Sequence, residues 1–170
     1  MNSKPIRVRT ASRPASKLRR ATPQDLEILV AHRRGMWKEM GVRNRKSLEA
    51  ADPVYRRWAA RALKSGVMTG WIIEISGVPV ASGCVWLQPV QPRPGFKGGG
   101  QPYLLSMFTE PKWRGQGFAR QITVQALRWA KSKRFPRMTL HASPKGRRVY
   151  EKLGFKDGNE MTMELDNRKY

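Results

Sequence analysis

One cysteine, two histidines and twelve acidic residues are all this 170-residue sequence offers of the side chains that most often bind metals or form covalent staples. A single thiol, Cys84, excludes an internal disulfide framework. It stands in the strand-like run "VPVASGCVWL", where a thiol serves as a small buried apolar group. His32 and His141 are too few for a zinc site, no HExxH occurs, and no metal is expected. No apolar run approaches the roughly 20 residues of a membrane helix, so no span is expected. The N-terminus "MNSKPIRVRTASRPASKLRRATP" lacks the apolar middle of a secretory signal. Being Arg- and Ser-rich and free of acids up to that point, it leaves an organellar transit peptide as a minor reading. A cytoplasmic location is the reading adopted.

Against so few acids stand 34 Lys and Arg, a formal net charge of +22. A field of this sign attracts polyanions such as nucleic acid, ribosomes, anionic lipid or a phosphorylated cofactor. It disfavours a polycationic substrate. The plainer reading is a solvated basic surface with no specific partner.

Hydrophobic residues at 39% suffice for the core of one domain. Residues 1–18 read as a basic, flexible tail that can itself end in an edge strand, and 19–170 as the domain. In "ATPQDLEILVAHRRGMWKEMG", Thr22 is an N-cap, Pro23 suits the first helical position and Gly41 ends the run. A second helix is expected over about Leu48 to Lys64. "GWIIEISGVPVASGCVWLQ" reads as two strands about a turn at Ser76-Gly77. "PVQPRPGFKGGGQP" reads as a breaker-rich loop without a catalytic role, since no Gly-Lys-Ser/Thr follows its glycines. "YLLSMFTE" is the next strand, followed by a glycine turn, a helix to about Lys133 and the strand "RMTLHA". A short helix in "PKGRRVYEKLGF" stops at Gly154 with Phe155 folded back, and one or two strands are expected around Asp157-Gly158. The order predicts an α/β (α+β) single domain with helices covering a mixed sheet.

The turn "RGQGFA" carries the chemistry. Gly115 and Gly117 have no Cβ, so backbone N–H groups can approach a ligand closely. The helix that follows adds a partial positive N-terminus that favours phosphate. Arg114 can neutralise further charge. The spacing is not that of the GxGxxG dinucleotide fingerprint.

Together with a second motif, the chain resembles the GNAT superfamily of N-acetyltransferases. "FTEPKWRGQGFARQI" is similar to that family's acetyl-CoA motif: a strand ending in a V-x-P-like step, then R-x-x-G-x-G/A and a helix. Thr109, Glu110 and Pro111 match the step, with Thr where Val is usual, and Arg114, Gly117 and Ala119 match the defining positions. About 30 residues on, "LHASPKGRRVYEKLGF" resembles the second motif, and "RRATPQDLEIL" resembles the usual opening. The resemblance covers about Leu18 to Leu165.

It implies a curved mixed sheet whose fourth and fifth strands, here Leu104–Thr109 and Met138–Ala142, splay apart around the pantetheine arm of acetyl-CoA. Met107, Phe108 and Thr109 would line that arm, Met107 and Thr109 through their backbone. Arg114, Gly115, Gln116, Gly117, Phe118 and Ala119 would hold the diphosphate. Ser143, standing where many members place Asn, would add a side-chain contact. The implied reaction is attack of a primary amine on the acetyl carbonyl in a ternary complex. An oxyanion forms that backbone N–H groups stabilise, and a thiolate leaves. Tyr150 occupies the position of the general acid. Glu110 and Glu160 are the candidate bases, and a water chain is the alternative to both. His141 reads as a core histidine rather than a proton relay.

The acceptor amine is not legible. The first two helices and the loop after the third strand would hold it, through segments carrying Arg33, Arg34, Trp37, Tyr55, Trp58 and Trp71. The aromatics read as core, and the basic groups suit an acceptor with a carboxylate or phosphate. A monomer or a homodimer is expected. The reading of another class is a nucleic-acid- or ribosome-associated module with the same fold and little turnover, since residues 1–20 carry seven Lys or Arg and no acid.

Overall fold

A β-branched, aromatic-rich stretch forms the centre of the fold, and its strands are buried on both sides. The structure, a computed structural model, describes residues 15–92, 94 and 99–163. In chain order these form β1 (Ser16–Arg20), α1 (Leu26–Glu39), α2 (Arg45–Lys64), β2 (Met68–Ile75) and β3 (Val78–Val90). Then follow β4 (Gly99–Thr109), α3 (Phe118–Ser132), β5 (Thr139–Leu140) and α4 (Pro144–Glu151). The five strands make one mixed sheet in the order β1-β2-β3-β4-β5, antiparallel except for the β4–β5 pair. β2 is buried along nearly its whole length because helices cover both faces.

On one face, the front, Leu29, Val30, Tyr55 and Ala59 of α1 and α2 pack on Ile72 and Cys84. On the back, Phe118, Ile122, Ala126 and Tyr150 of α3 and α4 pack on Trp71, Val85 and Leu104. Cys84 is fully buried.

The entry to α1 follows its expected chemistry. Thr22 caps a 3-10 turn at Pro23–Asp25 that runs into α1, with a reciprocal Thr22–Asp25 capping box. Asp25 is buried and accepts from Arg19 at 2.7 Å, and Arg19 also reaches Glu74 at 2.7 Å. The Arg19 guanidinium holds the Asp25 carboxyl down at about 2. This tie fixes edge strand β1 to α1 and to β2.

β1 begins at Ser16 and forms the edge strand in which the N-terminal segment was expected to end, its backbone pairing with β2 from Trp71 to Ile75. Three expectations need correction. α2 begins at Arg45 rather than near Leu48, since Asn44 accepts from the Ser47 N–H as an N-cap. The expected 89–102 loop is partly strand: Val90 pairs with Gly99 and Leu87 with Pro102. Cross-strand pairing outweighs the low strand propensity of Gly and Pro there. Residues 93 and 95–98 lie outside the described residues. Finally, 156–163 contain no strand, and the rest of the expected closing strand lies outside the described residues.

The turn at Ser76-Gly77 has both residues left-handed, φ 51° and 77°, as a two-residue hairpin requires. Gly154 is left-handed at φ 91°, and Phe155 folds back so that its N–H donates to the Tyr150 carbonyl. No helix among the described residues is long and apolar enough to cross a membrane.

Candidate active site

β4 and β5 make only two partner pairs, Tyr103 with Thr139 and Leu104 with Leu140. Beyond them β4 continues to Thr109 without β5 beside it, which opens a wedge in the sheet. At the mouth of the wedge β4 also breaks register with β3. Ser82 pairs with Phe108 and Cys84 with Leu105, so Ser106 and Met107 both stand opposite Gly83. Ser106 takes a left-handed φ of 52°. Such a bulge turns backbone groups out of the ladder, and here no strand lies on the other side to take them.

The glycine turn stands at the end of the same strand. Gly115 and Gly117 are left-handed, φ 75° and 81°, and Gln116 between them is not. Alternating hand turns successive N–H groups to one side. Arg114 N–H closes the preceding turn on Pro111, and the helical ladder begins with Gln121 N–H on Gly117. Between them, the N–H groups of Gly115, Gln116, Gly117, Phe118, Ala119 and Arg120 meet no described acceptor. A Cβ added at Gly115 or Gly117 would meet nothing within 4 Å. Untied donors, a helix N-terminus and open space are the features that suit a diphosphate.

The second of these elements, α3, is anchored by Phe118, which is buried with Ile122 and Tyr150 in the back core. Ala119 accepts a hydrogen bond from Thr123 Oγ1 at its carbonyl, and its N–H meets no described acceptor. Residues 33–155 match the family model described as the acetyltransferase (GNAT) family. The chain belongs to the GNAT acetyltransferase family. Solved structures similar to this GNAT chain include a GCN5-related N-acetyltransferase from Ralstonia eutropha, 25% identical with a TM-score of 0.79. The match covers 89% of this chain and 99% of that one. A predicted acetyltransferase with acetyl-CoA from Clostridium acetobutylicum is 28% identical with a TM-score of 0.80, covering 89% and 96%. The aminoglycoside N-acetyltransferase AAC(6')-Iy in complex with CoA shares the fold at 19% identity and a TM-score of 0.67, covering 93% and 99%. No curated protein matches the sequence. Among the described residues of this GNAT chain, no group of three or more His, Cys, Asp or Glu is placed to hold a metal ion.

The remaining expected residues fall around the wedge in unequal ways. Met107 sends its side chain to the back, into the space a Cβ on Gly83 would need. Phe108 faces the front, where α1 comes so close that a Cβ on Gly35 would lie 2.6 Å from the ring. Thr109 has its carbonyl taken by Arg114 Nε at 3.1 Å. Arg114 is not a free cation: its Nη1 lies 3.1 Å from Glu39 at the end of α1, and Lys145 shares that carboxylate at 3.6 Å. Ser143 caps α4, its Oγ accepting from the Gly146 N–H, so its expected ligand contact competes with a cap.

Tyr150 is 8% exposed, edge-on to Phe155, and burial pushes its phenol up to about 12. The two candidate bases lie at opposite ends of the wedge. Glu160 reaches His141 Nε2 at 3.4 Å, and His141 Nδ1 hydrogen-bonds the Tyr103 hydroxyl. His141 is thus exposed rather than a core histidine, because β5 ends before it and no described element packs over it. Glu110 follows β4 at the other end and lies 4.0 Å from His32 Nε2.

His32 escaped the sequence reading. It is buried on α1, its Nδ1 2.9 Å from Ser82 Oγ and its ring against Phe108. Its place on the apolar stripe of α1, between Leu29 and Gly35, was the available signal. Burial pushes the imidazole down to about 4, so it is neutral at pH 7. An unfolded His titrates near 6.5, so the unfolded state binds more protons between about pH 4 and 6.5. Stability from this group is therefore full above that window and lost as pH falls through it, by about 3 kcal/mol at most. Urea titrations at pH 5 and 7.5 are expected to show a smaller pH dependence in His32→Gln than in wild type. Equal dependence would remove His32 as the cause.

Proposed function

We propose that the protein moves an acetyl group from acetyl-CoA to a primary amine by direct attack in a ternary complex. The observation that carries this reading is the run of untied backbone N–H groups from Gly115 to Arg120, at left-handed glycines that leave open space. They stand at the end of a strand that β5 has left. Acetyl-CoA supplies an acyl carbonyl activated as a thioester. The glycine turn and the α3 N-terminus would hold its diphosphate. Backbone groups of β4 that face the wedge, at Met107 and Thr109, would hold the pantetheine arm.

The N–H groups at the Ser106–Met107 bulge suit the negative charge that develops on the carbonyl oxygen, a charge best met by donors already in place. The nitrogen–carbon bond forms as the carbon–sulfur bond breaks. Tyr150 gives its proton to the departing sulfur, and burial keeps that proton in place until then. The ammonium proton of the acceptor leaves to Glu110, which neutral His32 backs, or to water. Glu160 is the alternative base at the other end of the wedge.

Thermal melting with and without acetyl-CoA tests the reading, since a ligand that binds only the folded state raises the melting temperature. A consumption screen over amines, amino acids, polyamines and peptides then tests turnover. A protein that acetyl-CoA does not stabilise, but that RNA or DNA stabilises in a salt-sensitive way, would overturn it in favour of the basic binding module.

A further inference from the structure

With 34 cations against 12 acids, unpaired positive charge is unavoidable in this chain and says little by itself. One cation differs by its place. Arg33 projects from α1 and is only partly exposed. Its guanidinium carbon lies 4.4 Å from the Tyr55 ring centre and 5.3 Å from that of Trp37. Each described carboxylate already lies within 4.0 Å of an Arg, Lys or His nitrogen, and none of those nitrogens is Arg33's. The near carboxylate on α2, Asp52, is buried and paired with Arg34.

Burial disfavours the charged form where no described carboxylate stands beside it, and the Arg33 pKa is lowered by that burial. The rings offset part of this through cation–π contact. They also hold the planar fork in one orientation, which leaves its N–H edge for a planar, two-toothed acceptor. The place matters as much as the charge. Tyr55 belongs to the front core with Cys84 and Leu105, and its buried hydroxyl lies beside Ser106, the residue of the β4 bulge. Arg33 thus stands one aromatic ring away from the bulge assigned to the reacting carbonyl.

We propose that Arg33 recognises the acceptor: the amine this protein acetylates carries a carboxylate or phosphate, which the Arg33 fork holds while the amine lies over the bulge. This rests on the N-acetyltransferase reading above. The test uses matched amines, β-alanine against β-alaninamide, γ-aminobutyrate against its amide, and phosphoethanolamine against ethanolamine. The first two pairs report a carboxylate and the third a phosphate. Thiol release gives kcat and KM for wild type and Arg33→Gln, and acetyl-CoA-dependent melting is measured for both.

Wild type is expected to prefer the anionic member of at least one pair by about tenfold to a hundredfold in kcat/KM. In Arg33→Gln that preference is expected to vanish through a raised KM. Turnover of neutral amines and the acetyl-CoA melting shift are expected to stay unchanged. An anionic preference absent from every pair, or surviving in Arg33→Gln, would overturn the assignment. If acetyl-CoA stabilises wild type and neutral amines are acetylated as well as anionic ones, the Arg33 role alone fails. If acetyl-CoA does not stabilise wild type, the acetyltransferase reading fails with it.

Discussion

Gly117→Val is expected to abolish the stabilisation that acetyl-CoA gives the wild-type protein, while leaving a folded chain. At a ligand concentration a hundred times Kd that stabilisation is about 2.7 kcal/mol. For a domain of this size it amounts to a melting shift of roughly 5 to 10 °C. Two effects act at position 117. The backbone is left-handed, φ 81°, which a β-branched residue adopts only with strain of about 1–3 kcal/mol. The side chain also enters space that the protein leaves open, since no atom lies within 4 Å of the added Cβ. That space is where the diphosphate would lie. Gly117→Asn separates the two effects, because Asn tolerates the left-handed conformation. Loss of the shift in both variants assigns the cause to side-chain bulk. A wild-type shift in Gly117→Val would remove the phosphate role of the turn.

Tyr150→Phe is expected to lower kcat by about a hundredfold or more, the range of a positioned general acid. The acetyl-CoA melting shift is expected to persist, because the ring keeps its packing with Phe155 and the back core. With the phenol near 12, the proton-bearing form dominates throughout the neutral range, and ionisation of Tyr150 should cause no alkaline fall in rate below about pH 11. Stopped thiol-release assays from pH 6 to 10 check both statements. Full turnover in Tyr150→Phe would reassign the acid.

The parts of the fold that short-range chemistry dictates were legible. The Thr22 cap, the Ser76-Gly77 turn and the Gly154 stop each depend on residues adjacent in sequence, and each is found where expected. The splay was legible only through the family resemblance, since no local pattern says that β5 leaves β4 after two pairs. Pairing between distant residues accounts for the misread stretches: Gly99–Pro102 are strand because Leu87–Val90 lie opposite.

At the site, the untied N–H groups follow from the glycines themselves. The Glu39 carboxylate that shares Arg114 and Lys145 does not, because it comes from the far end of α1. His32 was hidden for the same reason: its partners, Ser82 and Glu110, come from two other elements.

The shortage of titrating side chains has a bearing on how rate should vary with acidity. Of two histidines, burial holds one neutral down to about 4, and the lone thiol is pushed up to about 12. Neither of these two groups therefore changes charge between mildly acidic and mildly alkaline buffer. A steep limb in a kcat/KM profile across that range would therefore be a signature of the incoming ammonium ion, whose unperturbed pKa is about 10. The profile would then shift from one acceptor to the next as their basicities differ, while His32 and Cys84 stay in one protonation state.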